Sequence, residues 1–362
     1  MKKKMAVCIT AYEPGGQSVV LEETTRRFAK YYDIDLYCVY SKKLKPHWIN
    51  NLYHVKPWPN KLTPLSNYEF IESLKNYDII HCHDSIGFMD CAIKSEVKTI
   101  VTAHGIYPWK YLPDLNRKMI CLLSEIFYKY YYRKIKNIVA ISQFVKDWLK
   151  DYANVDSVLI YNGFSPEKFH KLKKISVLKK FNKRDPKLIF AGQVSKRKGI
   201  DLIIKAISLL KEEYPEIILA IAGHDDSNEA KIFKEQVVSS NLEKNIIFLG
   251  NIKHENLINY YNWGDIFITA SRVEGFGVPI IESVACGTPA VGYGGKGSAV
   301  KEIIEGLNYG EVFLDYNPLS LKEAILRCIH NKKKYKLNKD FFNRLNWDYS
   351  SKEYLKLFKR AN

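Results

Sequence analysis

Short apolar runs alternate with longer amphipathic stretches along the whole chain, and this alternation predicts α/β units built around parallel sheets. In the first half the runs are β-branched, apolar throughout and bounded by turn residues, as expected of strands buried on both faces. They cover residues 5–10, 34–40, 78–82, 99–103, 137–141 and 157–161. In the second half, strand-like runs at 187–191, 217–222, 245–249, 265–270 and 290–292 alternate with helical stretches such as 200–213 and 230–240.

A polar stretch rich in lysine separates the two series, and 362 residues are enough for two domains. We therefore predict an N-terminal Rossmann-like domain at 1–165, a basic linker at 166–186, a C-terminal Rossmann-like domain at 187–345 and a helical tail at 346–362. Two such doubly wound halves are expected to face a cleft, because open parallel sheets bind ligands at the carboxyl ends of their strands.

The charge balance favours a partner that carries phosphate. Lys and Arg number 56 against 39 Asp and Glu, a net +17, and residues 1–180 alone hold 29 basic and 17 acidic residues, or +12. Nucleic acid, an anionic membrane surface and a nucleotide all fit this excess. The composition excludes a disordered, collagen-like or disulfide-built chain.

The cysteines and the hydropathy indicate the compartment. Seven scattered cysteines without a CxxC pair are typical of small buried residues in a reducing environment, and disfavour structural zinc or a disulfide framework. The apolar run at the N-terminus is too short for a signal peptide, and no run of about 18 apolar residues appears. A cytoplasmic protein is expected.

The segment 274–282, which follows the predicted strand 265–270, carries the most specific pattern. Gly275 and Gly277 allow a tight loop with exposed N–H groups, and a proline two residues later suits the first turn of a helix. That helix would aim its positive end at the edge of the sheet, where a diphosphate could bind. Glu274 in the loop and Glu282 one turn into the helix are expected to face the same ligand region, where carboxylates accept hydrogen bonds from sugar hydroxyls. An ordinary strand-to-helix turn is the alternative.

This segment resembles the E-x7-E motif of family 4 retaining glycosyltransferases, which have the GT-B fold. Other motifs of that family have similar counterparts in order along nearly the whole chain. They are the glycine pair Gly15-Gly16, the strand 77–83 that ends in His-Cys-His, His104-Gly105, the turn 160–163, and residues 191–194 with Lys198-Gly199.

The resemblance implies an α/β protein of the GT-B class, with a C-terminal helix that can cross back to the N-terminal domain. It also implies a donor site for a nucleoside diphosphate sugar. Lys198, Glu274 and His104 would be the catalytic residues. The residues that bind the donor would be Gly15, Gly16, Gln193, Arg197, Gly275, Phe276, Gly277, Val278 and Glu282, with Glu282 on the ribose hydroxyls. The family usually has Arg where this chain has Gln193, and a neutral amide holds a diphosphate less strongly than a guanidinium does.

Two further groups of residues admit several interpretations. His81 and His83 are expected on one face of a strand. Packing or a role at the acceptor is favoured over a metal site, because no third ligand is apparent apart from Asp84, which alternates to the other side. Residues 109–150 hold nine basic and three acidic residues around an aromatic cluster. A helix with an aromatic core face and a basic solvated face explains them. So does an interfacial helix on anionic lipid, and single-stranded nucleic acid is the least favoured reading.

The sequence thus predicts a retaining, metal-independent glycosyltransferase without a cofactor. Its donor would be a nucleotide sugar, and its acceptor a lipid-linked glycan, a polysaccharide or another molecule, with an anionic membrane surface as a further partner. A non-catalytic nucleotide-sugar binding protein and a GT-B epimerase are the alternatives. A nicotinamide-dependent dehydrogenase is excluded, because the first strand is not followed by G-x-G-x-x-G.

Overall fold

The computed structural model describes residues 2–57, 67–105 and 115–360, with the backbone alone for 115–123. The chain divides into two compact units. Unit 1 consists of Met1–Asn162 with Trp347–Asn362, and unit 2 consists of Gly163–Asn346.

Unit 1 alternates strands and helices as the hydrophobic pattern predicts. Its strands are β1 Lys3–Tyr12, β2 Tyr32–Ser41, β3 Asn51–His54, β4 Ile79–His83, β5 Thr99–Ala103, β6 Asn137–Ala140 and β7 Val158–Leu159. Its helices are α1 Gly16–Phe28, α2 Tyr68–Leu74, α3 Ile86–Lys94, α4 Leu115–Lys134, α5 Gln143–Ala153 and the C-terminal α13 Trp347–Arg360. The described strands form one parallel sheet in the order β3-β2-β1-β4-β5-β6-β7. The order reverses between β1 and β4, which is the switch point where such sheets bind ligands.

The C-terminal helix α13 belongs to unit 1, although 184 residues of unit 2 precede it in the chain. It packs on α1, where the ring of Phe28 lies 5.0 Å from that of Phe358 and 5.9 Å from that of Tyr354. At the start of the helix the guanidinium of Arg27 is 2.5 Å from the carboxylate of Asp348. The sequence predicted a C-terminal helix of this kind, and its apolar face closes the core of unit 1.

Unit 2 repeats the plan of unit 1. Its strands are β8 Lys187–Ala191, β9 Ile218–Ala222, β10 Ile246–Gly250, β11 Ile266–Thr269, β12 Ala290–Tyr293 and β13 Gly310–Phe313. Its helices are α6 Ile200–Leu210, α7 Asn228–Ser239, α8 Leu257–Trp263, α9 Val278–Ala285, α10 Val300–Leu307, α11 Pro318–Asn331 and α12 Lys339–Arg344. The described strands form a parallel sheet in the order β10-β9-β8-β11-β12-β13, so the switch point lies between β8 and β11.

The basic segment 166–186 differs from the predicted linker, because it packs within unit 2. The ring of Phe169 is 1% exposed. Asn262 of α8 accepts a hydrogen bond from the backbone N–H of Leu172 at 2.8 Å and donates one to the carbonyl of His170 at 3.0 Å. The lysines of the segment had suggested a solvated connection, whereas one buried ring and paired backbone groups hold it against α8.

The pattern missed two strands that lie at the edges of the sheets. In β3, three of the four residues are exposed, and in β13 only Phe313 is buried. An edge strand pairs on one side only and tolerates polar residues, so it lacks the apolar run that marks a central strand. Six cysteines have described side chains, and all six are free and buried. In the part of the chain that is described, no helix is both long and apolar enough to span a bilayer.

Candidate active site

Lys198 stands at the end of the loop that follows β8 in unit 2. Residues Lys196–Lys198 form a single 3₁₀ turn, and Gly199 then begins α6 with a left-handed φ of 75°. A Cβ on Gly199 would lie 2.3 Å from the carbonyl oxygen of Ala270, so only glycine lets this loop approach the end of β11. The N–H of Arg272 also donates to the carbonyl of Arg197 at 3.2 Å, which ties the two loops together.

Glu274 lies in the loop that follows β11, on the other side of the switch point. Its backbone N–H donates to the carbonyl of Gly297 at 3.4 Å, and its carbonyl accepts from the N–H of Ala299 at 2.8 Å. The glycine-rich turn after β12 thus holds the backbone of Glu274 in place through two hydrogen bonds. The two catalytic residues that the sequence predicts for this half of the chain therefore come from adjacent strands at one sheet edge.

The structure brings Lys198 and Glu274 into a direct ion pair. The Lys198 ammonium lies 2.6 Å from Glu274 Oε2, and the two side chains are 18% and 21% exposed. Burial raises the pKa of the Glu274 carboxyl, but the charge and hydrogen bond of Lys198, together with the charge of Arg197, outweigh burial and hold that pKa below its usual value. Glu274 is therefore ionised at neutral pH, and its partner is the cation expected to meet the diphosphate.

Helix α9 begins beside this pair, as the glycine–proline pattern predicts. Gly277 caps the helix with a left-handed φ of 89°, and proline occupies the first turn. Phe276 is 2% exposed, so its ring packs inside and only its backbone can meet a ligand. Gly275 and Val278 flank it at partly exposed positions. The loop thus offers backbone N–H groups and the positive end of a helix next to Lys198.

Glu282 does not share the environment of Glu274, although the sequence leads us to expect both carboxylates at the same ligand region. Its side chain is 3% exposed. His254 Nε2 lies 2.6 Å from Oε1, and the hydroxyl of Tyr261 donates to Oε2 at 3.1 Å. Both carboxylate oxygens of Glu282 are thus already hydrogen-bonded by side chains from the segment that follows β10.

Gln193 and Arg197 flank the pair in the loop after β8. Gln193 is exposed, and Arg197 is half-buried and close enough to lower the pKa of Glu274. The charge that the family's usual arginine would supply at position 193 is thus partly available from Arg197.

The predicted site residues of unit 1 surround its own switch point. Gly15 caps α1 and Gly16 begins it, directly after β1, and a Cβ on either glycine would meet no atom within 4 Å. These glycines are therefore not required by packing, and the space beside them is open to a ligand. The described residues place this glycine pair at the same sheet edge as the ends of β4 and β5.

His104 follows β5 and is held by a buried polar cluster. Its Nε2 lies 3.0 Å from Nδ1 of His83, and its backbone N–H donates to the carboxylate of Asp84. The same carboxylate accepts from the hydroxyl of Tyr132 on α4. Burial lowers the pKa of His104 to about 3, so the imidazole is neutral at physiological pH and can offer a sugar only a neutral hydrogen bond.

His81 and His83 share one face of β4, as their spacing predicts, and their ring centroids lie 4.5 Å apart. His81 Nε2 lies 2.8 Å from the hydroxyl of Thr102, which in turn lies 2.9 Å from the hydroxyl of Tyr354 on α13. The described residues place no third ligand with them that would complete a metal site. Burial lowers the pKa of His81 to about 3, so this ring is also neutral.

Sequence reasoning missed His254 and Tyr261, and it considered Asp84 only as a metal ligand and set it aside. Asp84 has a left-handed φ of 35° directly after β4, and burial raises the pKa of its carboxyl to about 7 against the hydrogen bonds it accepts. Its place in the His-Cys-His-Asp run was a usable signal. His254 and Tyr261 are seven residues apart, two helical turns, and follow a predicted strand at its carboxyl end. No sequence pattern names Glu282 as their partner.

Family models match both units. The model "Glycosyltransferase Family 4" matches residues 14–168, and the model "Glycosyl transferases group 1" matches residues 171–341. Together they span most of the chain. The chain belongs to the family 4 glycosyltransferases. It is an enzyme with the two-domain GT-B fold, and the site residues of each unit lie at the sheet edge where that fold binds its ligands.

Curated relatives and solved structures are similar to this glycosyltransferase along most of the chain. An uncharacterised glycosyltransferase of Methanocaldococcus jannaschii is 29% identical over 76% of this chain and 71% of its own. The alpha-monoglucosyldiacylglycerol synthase of Streptococcus pneumoniae is 26% identical over 72% of this chain and 61% of its own. Anabaena HepE, solved in complex with UDP and glucose, covers 99% of both chains with a TM-score of 0.81 at 17% identity. This last likeness is one of fold.

Proposed function

We propose that this enzyme is a retaining glycosyltransferase that moves a sugar from a nucleoside diphosphate to a lipid-linked acceptor at an anionic membrane surface. The observation that carries the donor half of this proposal is the ion pair of Lys198 and Glu274 at the switch point of unit 2. This pair would provide a cation for phosphate and a carboxylate for sugar hydroxyls, beside the N-terminus of α9. The UDP and glucose in HepE support a nucleotide sugar as donor.

The difficult step is the departure of the nucleoside diphosphate, as negative charge grows on the oxygen that leaves. Lys198, Arg197 and the backbone N–H groups of 275–278 supply fixed positive potential to that oxygen, in a site that needs no reorganisation at the moment of reaction. Glu274 would orient the sugar hydroxyls. In unit 1, neutral His104 and the open turn at Gly15-Gly16 would offer a ligand uncharged hydrogen-bonding groups.

Retention of configuration follows from attack on the face that the leaving group departs from. The leaving phosphate would accept the proton of the acceptor hydroxyl as the new glycosidic bond forms. We assign no protein nucleophile, since the carboxylate of Glu274 would serve the sugar hydroxyls in the donor-bound site. The double displacement used by retaining hydrolases would instead need a carboxylate free to bond the anomeric carbon.

Donor binding and donor cleavage test this proposal together. We expect one of a panel of UDP-, GDP- and ADP-sugars to raise the melting temperature, and the same compound to release free sugar slowly when no acceptor is present. A pure binding protein would be stabilised but release no sugar, and an epimerase would return a changed nucleotide sugar. Failure of every member of the panel to stabilise the protein would overturn the donor assignment.

The membrane half of the proposal rests on the exposed face of α4. Ile126 is 61% exposed, Phe127 37% and Tyr130 51%, and the Lys134 ammonium lies 4.6 Å from the centre of the Tyr130 ring. Apolar side chains beside lysines suit the boundary between headgroups and acyl chains. Of the stretch 109–150, residues 109–114 lie outside the described residues.

The same helix also has a core face, as one of the two main interpretations of its aromatic cluster predicts. Tyr131 is 6% exposed and lies beside Asp90 of α3, and Tyr132 is fully buried with its hydroxyl on the carboxylate of Asp84. The relatives support the lipid interpretation of the exposed face. Besides the synthase from Streptococcus pneumoniae, they include a phosphatidyl-myo-inositol mannosyltransferase of Propionibacterium freudenreichii, 23% identical over 76% of this chain. Both are named for glycosylation of a lipid.

We expect the protein to float with vesicles that contain phosphatidylglycerol and to stay behind with phosphatidylcholine alone. Serine at Phe127 and Tyr130 together should weaken binding about tenfold, since two apolar side chains no longer leave water. Tyr68→Ser on α2, a tyrosine 71% exposed, is the matched control and should bind as wild type does. If the protein binds anionic vesicles at neither low nor physiological salt, the exposed face of α4 is an ordinary solvated surface and the membrane half of the proposal is wrong.

A further inference from the structure

His83 is a buried histidine whose ring is bonded to the candidate catalytic histidine of unit 1. It is the last residue of β4, and only 1% of it is exposed, so a ligand cannot reach its side chain. His104 follows the neighbouring strand β5 and is half-buried. The two rings meet because their strands pair in parallel and end at the same edge of the sheet. His83 can therefore act on a ligand only through His104.

The two imidazoles lie end to end, with one hydrogen bond between them. Nδ1 of His83 is 3.0 Å from Nε2 of His104, and the planes of the two rings differ by 23°. The ring centres are 5.3 Å apart, which exceeds the distance between the nitrogens by about one ring width. That excess is expected when the two nitrogens point at each other in the plane of the rings. The bond therefore occupies Nε2 of His104 and leaves its Nδ1 as the ring nitrogen that can meet a ligand.

The two rings share a single proton at this bond. Burial lowers the pKa of His83 well below its usual value and the pKa of His104 to about 3, so both rings are neutral at physiological pH. A neutral imidazole has one N–H and one bare nitrogen, so one ring donates and the other accepts. If His83 donates from Nδ1, His104 must carry its own proton on Nδ1. If His104 donates from Nε2, its Nδ1 is an acceptor.

The surroundings of the second nitrogen of His83 favour His83 as the donor. Its Nε2 is buried, and no described residue gives it a hydrogen-bond partner. The neighbouring ring of His81, with its centre 4.5 Å away, uses its Nε2 on the hydroxyl of Thr102 instead. A buried N–H group without an acceptor is rarer in proteins than an acceptor without a donor. The proton of His83 therefore belongs on Nδ1, in the bond to His104, and not on the unpartnered Nε2.

The backbone of His104 is held in the position that this bond requires. The carboxylate of Asp84 accepts hydrogen bonds from the backbone N–H groups of His104 and Gly105, and from the hydroxyl of Tyr132. Ring and backbone of His104 are thus both fixed by the two consecutive residues 83 and 84. The described residues make no bond to Nδ1 of His104, so this nitrogen is the group that a ligand oxygen can meet.

We propose that His83 is a positioning residue that fixes His104 as a hydrogen-bond donor at Nδ1. A ligand at this edge then meets an uncharged N–H, which suits an oxygen that accepts, such as a sugar hydroxyl or ring oxygen. Without His83 the ring of His104 would exchange between its two neutral forms, and only one of them donates from Nδ1. This inference rests on the proposed function, because sugar transfer is the reaction in which His104 would hold a ligand.

NMR of histidine rings labelled with ¹⁵N tests the assignment without any substrate. At neutral pH the wild-type protein should carry the protons of both His104 and His83 on Nδ1. The signals are identified by their loss in His104→Asn and His83→Asn. A proton on Nε2 of His104 would overturn the proposal.

Two substitutions of His83 separate positioning from packing. His83→Leu fills the space without a donor, so His104 should divide its proton between both nitrogens, and turnover should fall about tenfold, the effect of one neutral hydrogen bond. His83→Asn places an amide N–H where Nδ1 lies. It should restore the Nδ1 form of His104 and keep turnover within about threefold of wild type. Equal losses of turnover in the two variants would contradict the proposal, because His83 would then contribute packing alone.

His81→Leu is the matched control, because His81 is a fully buried histidine on the same face of β4 that bonds Thr102 rather than His104. It should lower the melting temperature but leave the proton of His104 on Nδ1 and turnover within about twofold of wild type. Loss of the Nδ1 form in this variant as well would assign the effect to general packing and refute the role of His83. Wild type that transfers no sugar from any donor of the panel would instead contradict the proposed function, and the NMR result does not depend on it.

Discussion

Replacement of Lys198 by alanine should lower the rate of sugar transfer about a thousandfold. The ammonium lies in the loop that follows β8, bonded to Glu274 and beside the backbone N–H groups of the loop before α9. Removal of one fixed donor aimed at a developing oxyanion costs roughly 10²–10³ in turnover, and here a full charge is lost as well. Because that charge matters most as the diphosphate departs, the turnover number should fall more than the affinity for donor.

The measurement is steady-state transfer with the donor found by the stability screen. Lys198→Arg keeps the charge on a larger, planar group and should recover only part of the rate. Lys205→Ala, an exposed lysine on α6, is the control and should stay within about twofold of wild type. A Lys198→Ala enzyme with transfer within fivefold of wild type would remove Lys198 from the catalytic machinery.

The central strands and their loops could be predicted because burial leaves a direct mark on the sequence. β4 and β5 are uninterrupted apolar runs apart from their histidines and threonines, and both were placed within one residue at each end. The carboxyl ends of parallel strands lie at one edge of the sheet, and such sheets bind their ligands there. The loops that carry His104 and Lys198 could therefore be assigned to that edge of each sheet from the sequence alone. The edge strand β3 has no continuous apolar run, because three of its four residues are exposed to water.

The candidate site was predictable where its residues follow one another in the chain, and not where they meet through the fold. Glu274 and the glycines after it form one continuous motif. His254 meets Glu282 across 28 positions, and Asp84 meets the N–H of His104 across 20. Pairing of this kind depends on how α8 packs on α9 and how β4 lies beside β5. The motif therefore marked Glu282 as a candidate site residue, whereas its two hydrogen-bond partners could be found only from the fold.

Substitution of Glu274 by glutamine should change donor chemistry and nucleotide binding in opposite directions. The glutamine amide is a poorer acceptor for sugar hydroxyls than the carboxylate, so transfer should fall about a hundredfold. In wild type, however, the Lys198 ammonium is bonded to Glu274, and a diphosphate must compete with that carboxylate for it. Glutamine carries no charge, so it leaves Lys198 available and free UDP or GDP should bind severalfold more tightly than to wild type.

Calorimetry with the nucleoside diphosphate and steady-state transfer assays measure the two effects separately. Glu323→Gln, an exposed acid on α11, removes the same charge elsewhere in unit 2 and controls for the general gain in positive potential. If Glu274→Gln binds the diphosphate more weakly than wild type, the carboxylate does not compete with phosphate for Lys198. If transfer is unchanged, Glu274 does not meet the sugar. The opposite signs arise only if one carboxylate restrains the cation in the empty site and orients the sugar in the filled one.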